Sequence, residues 1–378
     1  MYGYKMLIYI VTLFAVCLFD FLFLLWRKKF IYRKLFLFFS FMTMTLVLGL
    51  RGSSVGEDTR MYLSMAKLTD GMTWRAVFSG FPKSISFVYN YENGSHYNGK
   101  TETLYLALNK LIMSVIHDAQ WVLFIVAVLT CIGFAKFIYD NCRDHIFFGT
   151  YVFLCESLFM NSFNAMRQSL SISIAINAYT CIKNRKYLKG LLLILFASCF
   201  HVTSIVYLVL FPICWLSRNE KSLKYVMIGA LAFVPMISVV RMILQTVSPY
   251  YAEYLQVSYW KADVNGTFFL WGFELIVVIC FFLKKDMEQD DFMAVACTAI
   301  YLSVEVAGLQ FTALSRLAMD FSAFLILLFP RFMRYQKGVQ ELFYVLAVGA
   351  LLTGLYFSYA RSPTRNYTFF WGSQNSLG

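Results

Sequence analysis

Charged residues are scarce in this sequence. They make up 14% of the 378 residues, whereas 60% of the residues are hydrophobic. An average soluble domain is about 25% charged, and just under half of its residues are apolar. A water-soluble globule of this length could not hide so much apolar surface in its interior. The composition therefore excludes a soluble enzyme, a disordered chain and a coiled coil, and it predicts a polytopic membrane protein.

Patterns typical of metal and disulfide sites are also missing. The nine cysteines form no CxxC pair and fall mostly inside apolar runs, where they are typical of small buried hydrophobic residues. The outer loops predicted below contain neither a DxD motif nor a histidine cluster, and Asp290-Asp291 falls on the predicted cytoplasmic side. We therefore expect no metal ligand set and no cofactor. No internal repeat is apparent, which indicates one membrane domain over residues 1–378.

The excess of positive charge is explained by where the basic residues lie in the sequence. The 33 Lys and Arg exceed the 21 Asp and Glu, for a net charge of +12. In a soluble protein such an excess would suggest nucleic acid. Here the basic residues cluster in short loops between apolar runs, as the positive-inside rule predicts, so we expect the bilayer and not nucleic acid as the partner. The loops assigned to the cytoplasm are 27–34, 183–189, 284–285 and 331–337.

The apolar runs predict an all-α protein. A bilayer takes about 20 apolar residues per helix, and the sequence accommodates about 10–12 transmembrane helices together with re-entrant or short ones. The long loop 51–103, with an interfacial helix, and the loop 248–266 are predicted to be extracytoplasmic. The predicted spans are 4–26, 35–50, 121–139, 146–163, 169–182, 225–247, 267–283, 292–310, 313–330 and 342–360.

Two apolar runs do not fit a simple span. The run 104–116 has the outside at both ends, so we predict a re-entrant or surface-lying helix. The run 190–216 has predicted cytoplasmic loops at both ends but is too short to cross the bilayer twice. We predict a broken hairpin with His201 near its bend, because irregular backbone at membrane depth needs burial in protein or a wet cavity.

Ionisable residues in or beside spans are costly and are functional candidates by default. In this sequence they collect at the predicted extracytoplasmic side and come from four separate parts of the chain. A charged cavity that opens outward explains this distribution. The residues are Arg51, Glu57, Asp58, Arg60, Glu102, Arg167 and Arg316.

The first motif follows the second predicted helix, where glycines allow a sharp turn. Asp58 or Thr59 can cap a short helix that begins near Arg60. One interpretation is an ordinary capped interfacial helix. The other makes Asp58 or Glu57 a general base for a hydroxyl proton, with Arg51 or Arg60 binding an anion.

A second motif places an arginine at the start of a helix on the outside, against the positive-inside bias. Arg167 either snorkels or joins the helix dipole to bind a phosphate, with Asn164 and Gln168 donating hydrogen bonds. Arg316 repeats the arrangement on another helix. Two such arginines suit a diphosphate better than a carboxylate.

Two further residues are candidates for acid–base chemistry. His201 lies among apolar residues, where a histidine is often a satisfied core residue, but it also falls at a predicted helix break. Glu102 is either a second acid or base, or the cap of the following helix. The sequence leaves both pairs of alternatives open.

The order of these motifs resembles the EpsG family of Wzy-like bacterial polysaccharide polymerases, from about residue 5 to residue 335. Glu57, Met319-Asp320 and the tail 359–378 depart from the family pattern. The elements that carry the resemblance are Arg51, Val55-Gly56-Glu57-Asp58-Thr59, Tyr62, Glu102, Asn164, Arg167-Gln168, Phe200-His201, Ser204 and Arg316.

The resemblance implies a GT-C-type membrane glycosyltransferase. It would polymerise oligosaccharide repeats carried on undecaprenyl diphosphate outside the bacterial cytoplasmic membrane, with a chain-length regulator as a further expected partner. Catalysis would fall to Asp58, Glu57, Glu102 and His201, with Asp58 as the first choice of base. Substrate binding would fall to Arg51, Arg60, Tyr62, Asn164, Arg167, Gln168 and Arg316.

Two other functions would use an outward basic cavity: a flippase for the same lipid-linked saccharide, and an O-antigen-ligase-like transferase. Transporters usually place their polar groups at the midplane on broken helices, often with internal repeats. The charges here collect at one surface, which favours an enzyme.

Overall fold

The computed structural model shows a chain that is mostly helical. The residues that the structure describes are 2–23, 30–79, 84–90, 96–142, 145–247, 264–283, 287–309 and 312–372.

Four helices in this part of the chain are long and apolar enough to cross a membrane, and shorter apolar helices accompany them. The described β structure is one two-stranded hairpin and an isolated bridge. The predicted all-α polytopic membrane fold is confirmed. The number of spans and the GT-C-like arrangement stay predictions. The four candidate spans are Ile31–Gly49, Gln120–Asn141, Gln289–Gly308 and Val339–Ala360.

The chain divides into two compact units, of which the first comprises Met1–Leu208 and Tyr356–Gly378. Within it, α6 packs against both α2 and α9. The helices are α1 (Tyr2–Leu22), α2 (Phe30–Gly49), α3 (Thr59–Asp70), α4 (Trp74–Phe78), α5 (Thr103–Ile116), α6 (Gln120–Asn141), α7 (Ile146–Cys155), α8 (Ser157–Asn161), α9 (Met166–Ala175), α10 (Asn177–Lys183) and α11 (Tyr187–Ser198).

The second unit is Val209–Leu355. Helix α15, which is mostly buried, packs against α13 and α16. The helices are α12 (Leu210–Leu216), α13 (Leu223–Val247), α14 (Val264–Phe282), α15 (Gln289–Gly308), α16 (Thr312–Ser322), α17 (Leu325–Met333) and α18 (Val339–Ala360), which begins in this unit. The prediction of one membrane domain stays a prediction.

Three predicted spans are each interrupted. The run 146–163 divides into α7 and α8 at Glu156, whose carboxylate accepts a hydrogen bond from the backbone N–H of Leu158 at 3.2 Å. The run 169–182 divides into α9 and α10, and 313–330 divides into α16 and α17. Mean hydropathy does not reveal such breaks, because an average over a whole run hides a single polar residue such as Glu156 and because apolar residues such as Ile176 and Phe324 stand at the other two breaks.

The interruption predicted near His201 is confirmed. Helix α11 ends at Ser198, a 3-10 helix covers Val202–Val209, and His201 lies between them. Such a break leaves backbone groups without helical partners, and these groups can bind side chains from elsewhere.

A β-hairpin, which the sequence analysis does not predict, lies in the long loop 51–103. Strand β1 (Ser84–Asn90) pairs antiparallel with β2 (His96–Glu102), from Ser84 opposite Glu102 to Asn90 opposite His96. Strand β1 is rich in β-branched and aromatic residues, which favour strands. The hairpin ends at Glu102, which also occupies the N-cap position of α5.

Ion pairs join α15 to the end of α17 in the second unit. The Arg331 guanidinium donates to Asp291 at 3.1 Å and to Asp290 at 3.0 Å, and its side chain is only 5% exposed. Arg334 pairs with Glu288 at 3.2 Å but is 39% exposed.

We therefore expect Arg331→Gln to destabilise the protein strongly. Removing one partner of a buried ion pair costs about 3–5 kcal/mol, because the remaining charge is left uncompensated. The matched control, Arg334→Gln, breaks an exposed pair and should cost less than about 1 kcal/mol. Thermal unfolding in detergent measures both variants, and equal shifts in their midpoints would contradict this assignment.

Candidate active site

Arg51 lies in the interior, directly after α2, and is 1% exposed. Its guanidinium donates to the backbone oxygens of Leu48 at 2.6 Å and Phe163 at 3.3 Å, and to Thr59 Oγ1 at 3.3 Å. Burial lowers the pKa of Arg51 to about 10, so it stays charged at neutral pH. Arg51 thus joins three segments of the chain through buried hydrogen bonds, and its role as a substrate anion ligand stays a prediction.

The turn that follows Arg51 depends on Gly56. This residue has a φ of +92°, and a Cβ there would lie 2.5 Å from the backbone oxygen of Phe163. The next N–H, that of Glu57, donates to Asn164 Oδ1 at 3.1 Å. The turn therefore packs directly against the segment between α8 and α9.

Helix α3 begins at Thr59 with Asp58 in the N-cap position, but the Asp58 side chain makes no cap hydrogen bond. Arg60 and Glu57 are exposed and Asp58 is half-buried. Tyr62 is buried on the same helix. Burial, followed by the charge of Asp58, raises the pKa of Tyr62 to about 12, while Arg167 opposes the rise through its charge and a hydrogen bond. The charges of Asp58 and Arg167 therefore both affect the pKa of Tyr62.

The centre of the site is the carboxylate of Glu102. Arg167 Nη1 donates to Glu102 Oε2 at 2.6 Å, and His201 Nδ1 lies 3.0 Å from Glu102 Oε1. The backbone N–H of Val202 donates to the same Oε1 at 3.2 Å. Three distant segments thus meet at one carboxylate: the junction of β2 and α5, the first turn of α9 and the break after α11.

The surroundings keep this carboxylate ionised. Burial by itself would raise the pKa of Glu102, but the hydrogen bond with His201 and the charge of Arg167 outweigh it and hold the pKa below its ordinary value. An ionised carboxylate only accepts hydrogen bonds. His201 therefore carries its proton on Nδ1 towards Glu102, which directs Nε2 away from the carboxylate.

The Arg167 guanidinium lies 5.9 Å from the centre of the Tyr105 ring, and Tyr105 is fully buried on α5. Sequence reasoning did not single out Tyr105, although it follows Glu102 by three residues and so lies on the same side of the first turn of α5. Arg167 is 8% exposed and Gln168 is 3% exposed. The pairing of Arg167 with Glu102 was not predicted.

The predicted residues Asp58, Tyr62, Glu102, Arg167 and His201 thus lie within one connected set in the first unit. Asn164 joins this set through Glu57. Arg316 lies exposed on α16 of the second unit, and its role as a second arginine stays a prediction.

The C-terminal segment was also missed. It pairs with the turn after α2: the N–H of Gly52 donates to Thr368 O and that of Gly56 to Thr364 O, both at 2.7 Å. No short motif in the tail marks it, because the contacts are made by backbone atoms.

The fold and the site together define a class of protein: a polytopic helical membrane protein with a buried Glu–Arg–His cluster. The chain matches the family model of the EpsG family over residues 34–371, nearly its whole length. It therefore belongs to the EpsG family, a family of Wzy-type polysaccharide polymerases. The match extends into the tail, beyond the predicted limit near residue 335. No curated protein and no solved structure matches the chain.

We expect Gly56→Ala to lower the free energy of unfolding for two reasons. A residue with a Cβ pays about 1–2 kcal/mol for left-handed backbone, and the new Cβ would also clash with the backbone oxygen of Phe163. Gly338→Ala is the control, because Gly338 has a φ of +58° but no atom within 4 Å of its added Cβ. Thermal unfolding should show the larger loss for Gly56→Ala. An equal loss would mean that the turn does not pack against Phe163.

We expect Glu102→Gln to lower the unfolding midpoint at pH 7, because it removes one partner of a buried ion pair, a loss of about 3–5 kcal/mol. The pKa of folded Glu102 lies below its ordinary value of 4.5. Glu102 therefore contributes fully to stability at a pH above its pKa in the unfolded chain. This contribution is lost as the pH falls through the lower pKa that Glu102 has in the folded protein. The difference from wild type should shrink as the pH falls below 4.5.

The control is Glu57→Gln at an exposed carboxylate whose pKa is raised, first by partial burial and next by the charge of Asp58. This change should not lower the midpoint at pH 7. If the effect of Glu102→Gln were the same at pH 3 and pH 7, the ion pair would not be its source.

Proposed function

We propose that the protein is a membrane glycosyltransferase that polymerises oligosaccharide repeats carried on undecaprenyl diphosphate. The site would face the outside of the bacterial cytoplasmic membrane. The observation that carries the proposal is the Glu102 carboxylate bound between Arg167 and His201. Membership of the EpsG family supports the polysaccharide product.

The reaction needs a base and a cation. The acceptor hydroxyl forms a bond to the anomeric carbon of the donor, the bond from that carbon to the diphosphate oxygen breaks, and the hydroxyl proton must be removed. His201 would take this proton on Nε2, while Glu102 fixes the tautomer and stabilises the imidazolium that forms. The 3.0 Å contact between His201 Nδ1 and Glu102 Oε1 is the reason for preferring His201 to Asp58 as the base.

Arg167 would stabilise the leaving diphosphate. Its guanidinium carries five N–H donors, and Glu102 accepts from Nη1. The planar fork of an arginine suits phosphate oxygens, and charge that develops on the leaving group is stabilised best by a cation already held in place. Glu102 would therefore serve both partners, because it orients the base and holds the arginine.

The test is a turnover assay with purified protein in nanodiscs and lipid-linked repeat units. His201→Asn should lower kcat by about 10²–10⁴, the usual contribution of a general base, while donor binding is retained. His117→Asn is the control, because the His117 side chain is exposed and lies 3.7 Å from Asp70, outside the Glu102 cluster. Asp58→Asn, run alongside, compares the two candidate bases.

For the arginine, Arg167→Ala should abolish long-chain product, and Arg167→Lys should be strongly impaired because it keeps the charge but loses the fork. Arg75→Lys, at an exposed site on α4, is the control. Full-length polymer from Arg167→Ala would refute the phosphate assignment. Movement of lipid-linked repeats without a new glycosidic bond would indicate a flippase, and transfer only to a second carrier would indicate a ligase.

A further inference from the structure

The segment 362–372 lies across the turn that joins α2 to α3, and we name it the tail strap. Its backbone accepts from Gly52 and Gly56, and the N–H of Phe370 donates to Leu50 O at 3.0 Å. Without these partners the two glycine N–H groups, on residues that are both buried, would have to find others. The strap is therefore part of the structure of this turn.

The strap is itself fixed at both sides. The hydroxyl of Tyr367, a buried residue, donates to Val47 O at 2.9 Å, and the hydroxyl of Tyr9 donates to Arg365 O at 2.9 Å. Its approach to the turn is close: a Cβ on Gly52 would lie 2.6 Å from Thr368 Oγ1. Only glycine fits at this position while the strap is in place.

On its other side, the turn contacts Phe163 and Asn164, just before helix α9. Arg51 and Thr59 both donate to the backbone oxygen of Phe163, at 3.3 and 3.5 Å, and the N–H of Glu57 donates to Asn164. Arg167 follows Phe163 by four residues, in the first turn of α9. The turn thus lies between the strap and the segment that carries the arginine.

We infer that the tail strap positions Arg167 for catalysis by holding the turn 51–58 against Phe163 and Asn164, which precede α9. The inference rests on the proposed function, since it assigns the strap a role in that reaction. The family match through residue 371 covers the strap except for its last residue, which agrees with a role in the common activity. Thr364, Tyr367 and Thr368 are positioning residues and do not contact substrate in this account.

The variant that tests the strap is Gly52→Ala, which forces Thr368 away. A shift of about 1 Å in a catalytic group can cost 10²-fold, so we expect kcat to fall roughly 10- to 100-fold. The KM of the donor should change much less. Adding Thr368→Ala removes the colliding Oγ1 and should restore kcat to within about threefold of wild type, a rescue expected from this contact alone.

Whether the strap acts through Arg167 is tested by combining Gly52→Ala with Arg167→Lys. If one acts through the other, the double variant should turn over no more slowly than Arg167→Lys. Gly71→Ala is the control, because the only atom near its added Cβ lies at an ordinary 3.7 Å. If Gly52→Ala does not fold, Tyr367→Phe replaces it and should show the same lack of additivity.

Hydrogen exchange separates this inference from the proposed function. In Gly52→Ala, exchange should rise at residues 51–59 and 163–169 but not in α10. Unchanged exchange at 163–169, normal kcat, absence of rescue, or additive effects with Arg167→Lys would overturn the role of the strap. A wild-type protein that forms no glycosidic bond would instead overturn the proposed function, and with it the catalytic role of the strap.

Discussion

The Glu102 carboxylate is the contact on which the candidate site depends. It is nearly buried, and a buried carboxylate is stable as an anion only when charges and donors surround it. Arg167, His201 and the N–H of Val202 supply them from two distant segments. The carboxylate lies at the end of the β-hairpin, the arginine lies in the first turn of α9, and the imidazole lies at the break after α11. If any of these elements were moved, the anion would lose a partner.

A second buried charge, that of Arg51, connects the segments next to this site. Arg51 donates hydrogen bonds to Leu48, Phe163 and Thr59, so it connects the end of α2 to α3 and to the segment between α8 and α9. The two arginines therefore differ in kind. Arg51 is satisfied mainly by backbone oxygens, as expected of a structural group. Arg167 is bound to another ionisable group, Glu102, whose pKa is shifted, which is typical of a functional site.

The sequence predicts the membrane class from composition and the short helix after residue 58 from its capping residues. It predicts the break near His201 because the run 190–216 is too short to cross the bilayer twice. It also identifies Glu102, Arg167 and His201 as candidates, since charge is costly near a bilayer. It does not predict that Glu102 binds the other two, because that pairing depends on how a hairpin and a helix break approach in space. The sequence does not predict the strap for a related reason: its hydrogen bonds to the turn at Gly52 and Gly56 join backbone atoms, which carry no sequence signal. The buried state of Arg51 likewise follows from packing and not from its type.

The central claim is that Glu102 acts on the reaction through His201 as one unit. A double-mutant cycle on kcat, with Glu102→Gln, His201→Asn and the combined variant, tests it directly in protein shown to be folded. The account predicts that the combined variant loses less than the product of the two single effects, since the orienting part of the role of Glu102 is lost with the base and only its hold on Arg167 remains. Independent effects that multiply in the combined variant would contradict it.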